Sequence, residues 1–177
     1  MDASGIISAF RFDSYKIDNV KFEMQRILGL LEFTGTLDSN LWQFSININQ
    51  PLYSTSRKKY LGGLTMCLNY ITKDVAEKNE QQSSVDTQDN TKKEVVPLIK
   101  CEVSIVGMFS AEQGRFSKDI EDKLVKIQIP AILMPYVRAT ITSLLAHAGF
   151  GSVIFPLINI HEVARQAVAA ADIQLID

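Results

Sequence analysis

Over residues 42–49 the chain alternates apolar and polar side chains. Trp42, Phe44, Ile46 and Ile48 are interleaved with Gln43, Ser45, Asn47 and Asn49, the two-residue period of a half-buried strand. The period returns at Leu64, Met66, Leu68 and Tyr70, and again at Cys101, Val103, Ile105 and Phe109, where Gly107 continues the inward series. An earlier strand is less regular: Tyr15 and Ile17 share one parity and Val20 and Phe22 the other, so a bulge or twist is expected near Asp18 and Asn19. Polar partners beside the apolar ones predict one covered and one wet sheet face, which favours antiparallel pairing.

Beyond Gly114 the period becomes helical. Ser117 is placed to cap a helix with Ile120, Leu124 and Ile127 on one face, and Asp119 and Glu121 suit its first turn. A longer helix follows, with Val137, Ile141, Leu144 and Leu145 on its buried stripe, Pro135 opening or kinking it, and Gly149 placed to end it. Residues 153–158 are apolar but too short and proline-broken for a helix, so they are expected to lie extended over a hydrophobic surface. Asn159 caps a last, Ala-rich helix with Glu162 at the capping-box position. Strands first and helices afterwards define an α+β chain: a four-stranded antiparallel sheet with helices on one face. One domain over 1–177 is predicted, interrupted at 73–94 by a charged, solvated insertion whose only apolar residues are Val75, Ala76 and Val85.

The crossover before the second strand is different. Ile27, Leu28, Leu30, Leu31 and Phe33 are more apolar side chains than an irregular segment needs, while Gly29, Thr34 and Gly35 argue against a long helix. Two readings remain open, a crossover packed on the core or the wall of a non-polar groove.

Composition narrows the function. With 46% hydrophobic residues in 177, a core needs no metal or disulfide to support it. A net charge of -2 and a pI near 5.7 give no electrostatic footprint for nucleic acid or an anionic membrane. The first residues lack a secretory signal, and no uninterrupted apolar run approaches the roughly 20 residues that span a bilayer, Pro130, Pro135 and Pro156 breaking the longest ones. A soluble, cytoplasmic protein without membrane insertion is expected. Cys67 and Cys101 fall in strands without metal-ligand spacing and read as free thiols, and His147 and His161 read as surface or helix-end groups. No acid/base pair, phosphate loop or nucleophile motif is present, so neither a catalytic residue nor a metal or other cofactor is expected.

Four stretches, in order along the chain, resemble the bacterial export chaperone family SecB. They are Ile17-Asp18-Asn19-Val20-Lys21-Phe22-Glu23; Cys101-Glu102-Val103 with Gly107-Met108-Phe109-Ser110; Met134-Pro135-Tyr136-Val137-Arg138; and the connection from Gly149 through Pro156 to Asn159-Ile160. The resemblance implies an ATP-independent holdase that binds unfolded polypeptides in hydrophobic grooves and assembles as a homotetramer, a dimer of dimers. The groove positions it implies are Ile27, Leu28, Leu30, Leu31 and Phe33 in the crossover, Trp42 and Phe44 in the second strand, and Val153, Phe155 and Leu157 in the connection. Docking to the translocase ATPase SecA is implied at Glu23 and Glu102, although Asn19 and Lys100 depart from the family pattern. The insertion after Thr72 is more similar to SecB-like chaperones that serve toxin-antitoxin pairs, which makes an antitoxin the alternative partner. A domain binding a small hydrophobic ligand is the alternative of another class.

Overall fold

The computed structural model describes residues 9–33, 35, 37–71, 96–112, 114–151, 153, 155, 158–168 and 173–177. The expected insertion at 73–94 and the groove position Leu157 lie outside them. The alternating segments form strands β1 (Phe10–Met24), β2 (Trp42–Ile48), β4 (Lys59–Tyr70) and β5 (Ile99–Ala111). Between them lie a four-residue helix α1 (Leu28–Leu31) in the crossover and a short strand β3 (Leu52–Ser54). A helical stretch follows, α2 (Lys118–Lys123), a π-helical turn Leu124–Gln128 and α3 (Ile129–His147), then helix α4 (Ile160–Val168) and strand β6 (Gln174–Ile176).

Among the described residues the sheet has six strands rather than the four expected, in the order β1-β5-β4-β3-β6, with β2 also paired to β4. The two additions, β3 and β6, have three residues each, too few to display a period of two. β6 also pairs parallel with β3, so the sheet is not wholly antiparallel. The bulge expected near Asp18 and Asn19 is present as a register shift between Ile17 and Asn19, and a second shift falls between Phe12 and Ser14. The residue bulged out by that second shift, Asp13, accepts hydrogen bonds from Lys59 Nζ at 2.6 Å and Ser110 Oγ at 3.0 Å, tying β1 to β4 and β5.

The inward series is the core. Leu64, Met66, Leu68, Cys101, Val103, Ile105 and Phe109 are essentially inaccessible. Against them lies an i+4 ridge of the long helix: Val125, Ile129, Leu133, Val137, Ile141 and Leu145, each exposed by 1% or less. The ridge sits close to the sheet because two floor positions have no side chain. A Cβ on Gly62 would come within 2.5 Å of Ile129 Cγ2, and one on Gly107 within 2.8 Å of Leu133 Cδ2.

The helical half departs from expectation in its continuity, one helix replacing the two expected, while Pro135 takes the interior of its two expected placements. α2, the π-turn and α3 run on as one helix, Lys118–His147, and Pro135 lies inside it. The wide turn ends beside Pro130, which has no N–H to offer the Lys126 carbonyl. With it the buried face moves: Val125 is buried, whereas Leu124 and Ile127 are half-covered and Ile120 is exposed. By length and composition this helix could cross a membrane, but its most apolar ridge is the one covering the sheet. Gly149 does end it, at φ 91°, with Phe150 N–H donating to Leu145 O at 3.0 Å. Asn159 Oδ1 accepts from Glu162 N–H at 3.3 Å, the cap expected for the last helix.

Asp13 generates a prediction. Partial burial pushes its carboxyl pKa up, but the hydrogen bonds from Lys59 and Ser110 and the Lys59 charge outweigh that and hold it below 3.8. A carboxyl depressed by folding adds stability that is present above its ordinary pKa and lost as pH falls through the lowered value. Asp13→Asn should therefore flatten the acid limb of the stability-pH curve, measured by urea unfolding from pH 6 down to about pH 2.

Candidate functional site

The ridge covers the centre of the sheet and leaves its β2 margin to other elements. There Trp42 and Phe44 of β2 stand beside Leu68 of β4 with Val153 and Phe155 of the connection after the long helix, and with Ser39 and Asn40 they line an open depression of about 220 Å³. Trp42, Val153 and Phe155 are buried, while Phe44 is 43% exposed. Trp42 packs on Tyr70 with ring centroids 5.0 Å apart. Among the described residues its indole Nε1 is one of two buried side-chain polar atoms without a hydrogen-bond partner, the other being Asn69 Oδ1. An unmet buried donor costs about 1–3 kcal/mol, and such costs concentrate at working surfaces.

The connection is pinned from the long helix. Arg138 Nη2 donates to the Phe155 carbonyl at 3.5 Å, and its guanidinium lies 5.8 Å from the centre of the Phe155 ring. The neighbouring Tyr136 turns the other way, its ring 4.4 Å from Tyr15 and 5.4 Å from Phe12 on β1. Val137 between them lies in the core. The Pro-Tyr-Val-Arg stretch thus fixes β1, the core and the connection from one turn of helix.

The crossover divides. Leu30 is buried in the core and Phe33 packs partly against it, whereas Leu28 and Leu31 are 69% and 64% exposed and Ile27 is 41% exposed. None of these five lines the depression around Trp42. The core reading therefore describes Leu30, and three apolar side chains on the same crossover are left to water.

Glu23 and Glu102 lie on the sheet face away from the helices, on β1 and β5. Glu23 is ion-paired to Lys21 at 3.1 Å. Glu102 accepts from Asn19 Nδ2 at 3.0 Å and from the Cys67 thiol at 3.4 Å. Lys21 stands opposite Glu102 and Lys100 opposite Glu23, so charges alternate across this patch and no acidic surplus forms.

The two thiols are poor nucleophiles. Burial pushes Cys101 up to about 11, and burial followed by the hydrogen bond to Glu102 raises Cys67. His147 Nδ1 is engaged with the Ser143 carbonyl at 2.6 Å at the helix end. No group of three or more metal-ligating side chains occurs among the described residues. Among the described residues the arrangement offers apolar contact and brings no reactive groups together in pairs.

The chain belongs to the SecB family: the family described as preprotein translocase subunit SecB matches residues 54–171. The crossover and β2 lie before that match. Among curated proteins the chain is similar to the protein-export protein SecB of Anaplasma marginale strain Florida, 29% identical over 79 residues, which is 45% of this chain and 45% of that protein. The protein of strain St. Maries matches with the same figures, so the match spans just under half the length of these relatives. In fold, the chain is similar to the SecB-like chaperone Rv1957 of Mycobacterium tuberculosis, solved in complex with a ChAD peptide from the Rv1956 HigA1 antitoxin. The TM-score is 0.54 at 6% identity, covering 85% of this chain and 91% of that one.

Removing the Arg138 tie should loosen the connection without unfolding the protein. Arg138→Ala is expected to speed amide hydrogen exchange at Val153 and Phe155 by about tenfold, the factor that corresponds to ~1.4 kcal/mol, while exchange at the β4 and β5 core stays slow. Arg138→Lys should restore little, because an ammonium lacks the planar fork.

Proposed function

We propose that this protein is an ATP-independent holdase that binds non-native polypeptides through the groove of Trp42, Phe44, Val153 and Phe155 and the exposed crossover side chains Ile27, Leu28 and Leu31. The single observation that carries the reading is the combination of family membership with an open apolar depression bordered by a partly exposed aromatic ring. Apolar contact without fixed hydrogen-bond geometry tolerates many sequences, which suits an unfolded client better than a single small ligand. Phe33 extends the same surface in this reading, and Leu30 supports it from the core.

Assembly belongs to the proposal. β1 is a 15-residue edge strand, and its apolar residues Tyr15, Ile17 and Val20 are exposed on the helix-covered side. Ile17 and Val20 border a shallow hollow of about 450 Å³ with Ala139, Leu144 and His147 of the long helix. A sheet edge that no other described strand covers, with apolar neighbours, fits pairing to a second copy across a twofold axis, and two such pairs make the tetramer, with several grooves acting on one client.

An antitoxin segment is the favoured dedicated client. Two observations support it over export delivery: the structural neighbour's antitoxin peptide, and the alternation of Lys21 and Lys100 with Glu23 and Glu102 where an acidic docking face for a translocase ATPase would lie. Cytoplasmic work is implied in either case.

The test combines three readouts on one preparation. Leu28→Ser with Leu31→Ser removes exposed apolar surface, so the melting temperature and the sedimented oligomer should match the parent while suppression of aggregation of a chemically unfolded protein falls. Trp42 is the only tryptophan, so its emission should shift when a tryptophan-free unfolded client is added to the parent. A parent that suppresses no aggregation, with static Trp42 emission, removes the holdase reading; a monomer at micromolar concentration removes the assembly.

A further inference from the structure

At the sheet edge opposite β1, the protein's own residues 173–177 occupy a strand site. β6 runs parallel to β3 with Leu52 opposite Gln174, Tyr53 opposite Leu175 and Ser54 opposite Ile176. Gln174 N–H donates to the Pro51 carbonyl at 3.0 Å and Thr55 N–H to the Ile176 carbonyl at 3.1 Å. The Thr55 hydroxyl donates to Asp177 Oδ1 at 2.8 Å. Main-chain bonds of this kind read no side chain, so any extended segment can make them.

Alternate residues of that strand point into a cleft. Ile173 and Leu175 line it together with Tyr53, Tyr60 and Phe116 on its apolar side and Lys118, Glu121 and Asp122 on its charged side, and the cleft holds about 820 Å³. Its aromatic floor is fixed: the Tyr60 hydroxyl donates to Glu121 Oε1 at 2.7 Å, and the Tyr53 ring centre lies 4.6 Å from that of Tyr60. Yet the occupant fills it poorly, since Leu175 remains 68% exposed. Three paired residues and a largely exposed Leu make a weak hold, so the strand is displaceable by a segment that fills the cleft better.

We propose that the β3 edge and this cleft form a second polypeptide-binding site, distinct from the groove at Trp42. It takes an extended segment with apolar side chains two residues apart, added parallel to β3 in place of β6. Residues 173–177 show the chemistry required: an extended backbone, with Ile173 and Leu175 at positions i and i+2. The two sites serve opposite ends of β4, β2 pairing with its Leu64 to Tyr70 half and β3 with its Lys59 to Leu61 half. At about 3.3 Å per residue, one extended client of roughly ten residues reaches from one site to the other.

The experiment closes the site reversibly and offers it a copy of its own occupant. Leu52→Cys with Gln174→Cys, in a Cys67→Ser and Cys101→Ala background, places thiols directly opposite each other on the face away from the cleft, leaving its walls intact. The probe is a fluorescein-labelled peptide with the sequence of residues 173–177. It should bind the reduced protein, fail to bind the oxidised one, and regain binding on reduction. In Gln174→Pro, which removes the N–H that bonds to Pro51, it should bind about tenfold tighter than in the parent, because the tethered strand no longer competes at high effective concentration. Phe44→Gln should leave probe binding unchanged. Equal binding to oxidised and reduced protein overturns the proposal, as does loss of binding in Phe44→Gln, which assigns the probe to the other groove. Disulfide-linked dimers on oxidation also overturn it, since β6 then belongs to the edge of a second copy. The oxidised and reduced states of one protein decide the matter even if Gln174→Pro fails to fold.

Discussion

The close approach of one helix ridge to a sheet floor that lacks two side chains organises the molecule. Gly62 and Gly107 let Ile129 and Leu133 sit against β4 and β5, and the i+4 series from Val125 to Leu145 is buried along its length as a result. A helix held that close covers the middle of the sheet and no more. The β2 margin, with Trp42 and Phe44, is met by Val153 and Phe155 instead, and the β3 margin by a three-residue strand. Both margins keep open hollows, an apolar one beside β2 and one of mixed aromatic and charged lining beside β3, because neither covering element seals them.

Much of this was legible in the sequence because burial on one face writes a period into it. The parity of Leu64, Met66 and Leu68 and of Cys101, Val103 and Ile105 named the core strands, and the parity switch between Ile17 and Val20 named a bulge. Gly149 and Asn159 named helix ends through backbone and capping chemistry. Elements of three residues have no period, so β3 and β6 were invisible and the sheet was read as having four strands. The continuity of the long helix was not legible: two helices were expected where the π-turn beside Pro130 joins them into one, and of the two placements expected for Pro135, at the opening or inside the helix, the interior one is found.

The candidate site was legible only in part. Trp42, Phe44, Val153 and Phe155 are widely separated along the chain, and family resemblance rather than periodicity grouped them; the fold brings them to one depression. The crossover could not be divided from residue types, because Leu28, Leu30 and Leu31 are identical side chains and only the direction of a four-residue helix decides which one is buried. The tie from Arg138 to Phe155 spans 17 residues and leaves no local signal, although its Arg lay within a stretch already singled out by resemblance. Glu23 and Glu102 were read as docking positions implied by resemblance, with Asn19 and Lys100 already departing from the pattern. Their lysine neighbours across the strands, which cancel the local charge, become visible only with the register.

Family membership and the open apolar depression beside Trp42 and Phe44 support the proposed work of contact with non-native chain. The central claim is that non-native chain lies along the β2 margin. Its most direct measurement is photo-crosslinking from single positions, with a benzophenone side chain placed at Phe44, at Leu31, or at Lys16 on the opposite sheet face, in the presence of a chemically unfolded polypeptide. The account predicts strong adducts from positions 44 and 31 and weak ones from position 16. Adducts chiefly from position 16, or none above those given by a folded control protein, would contradict it.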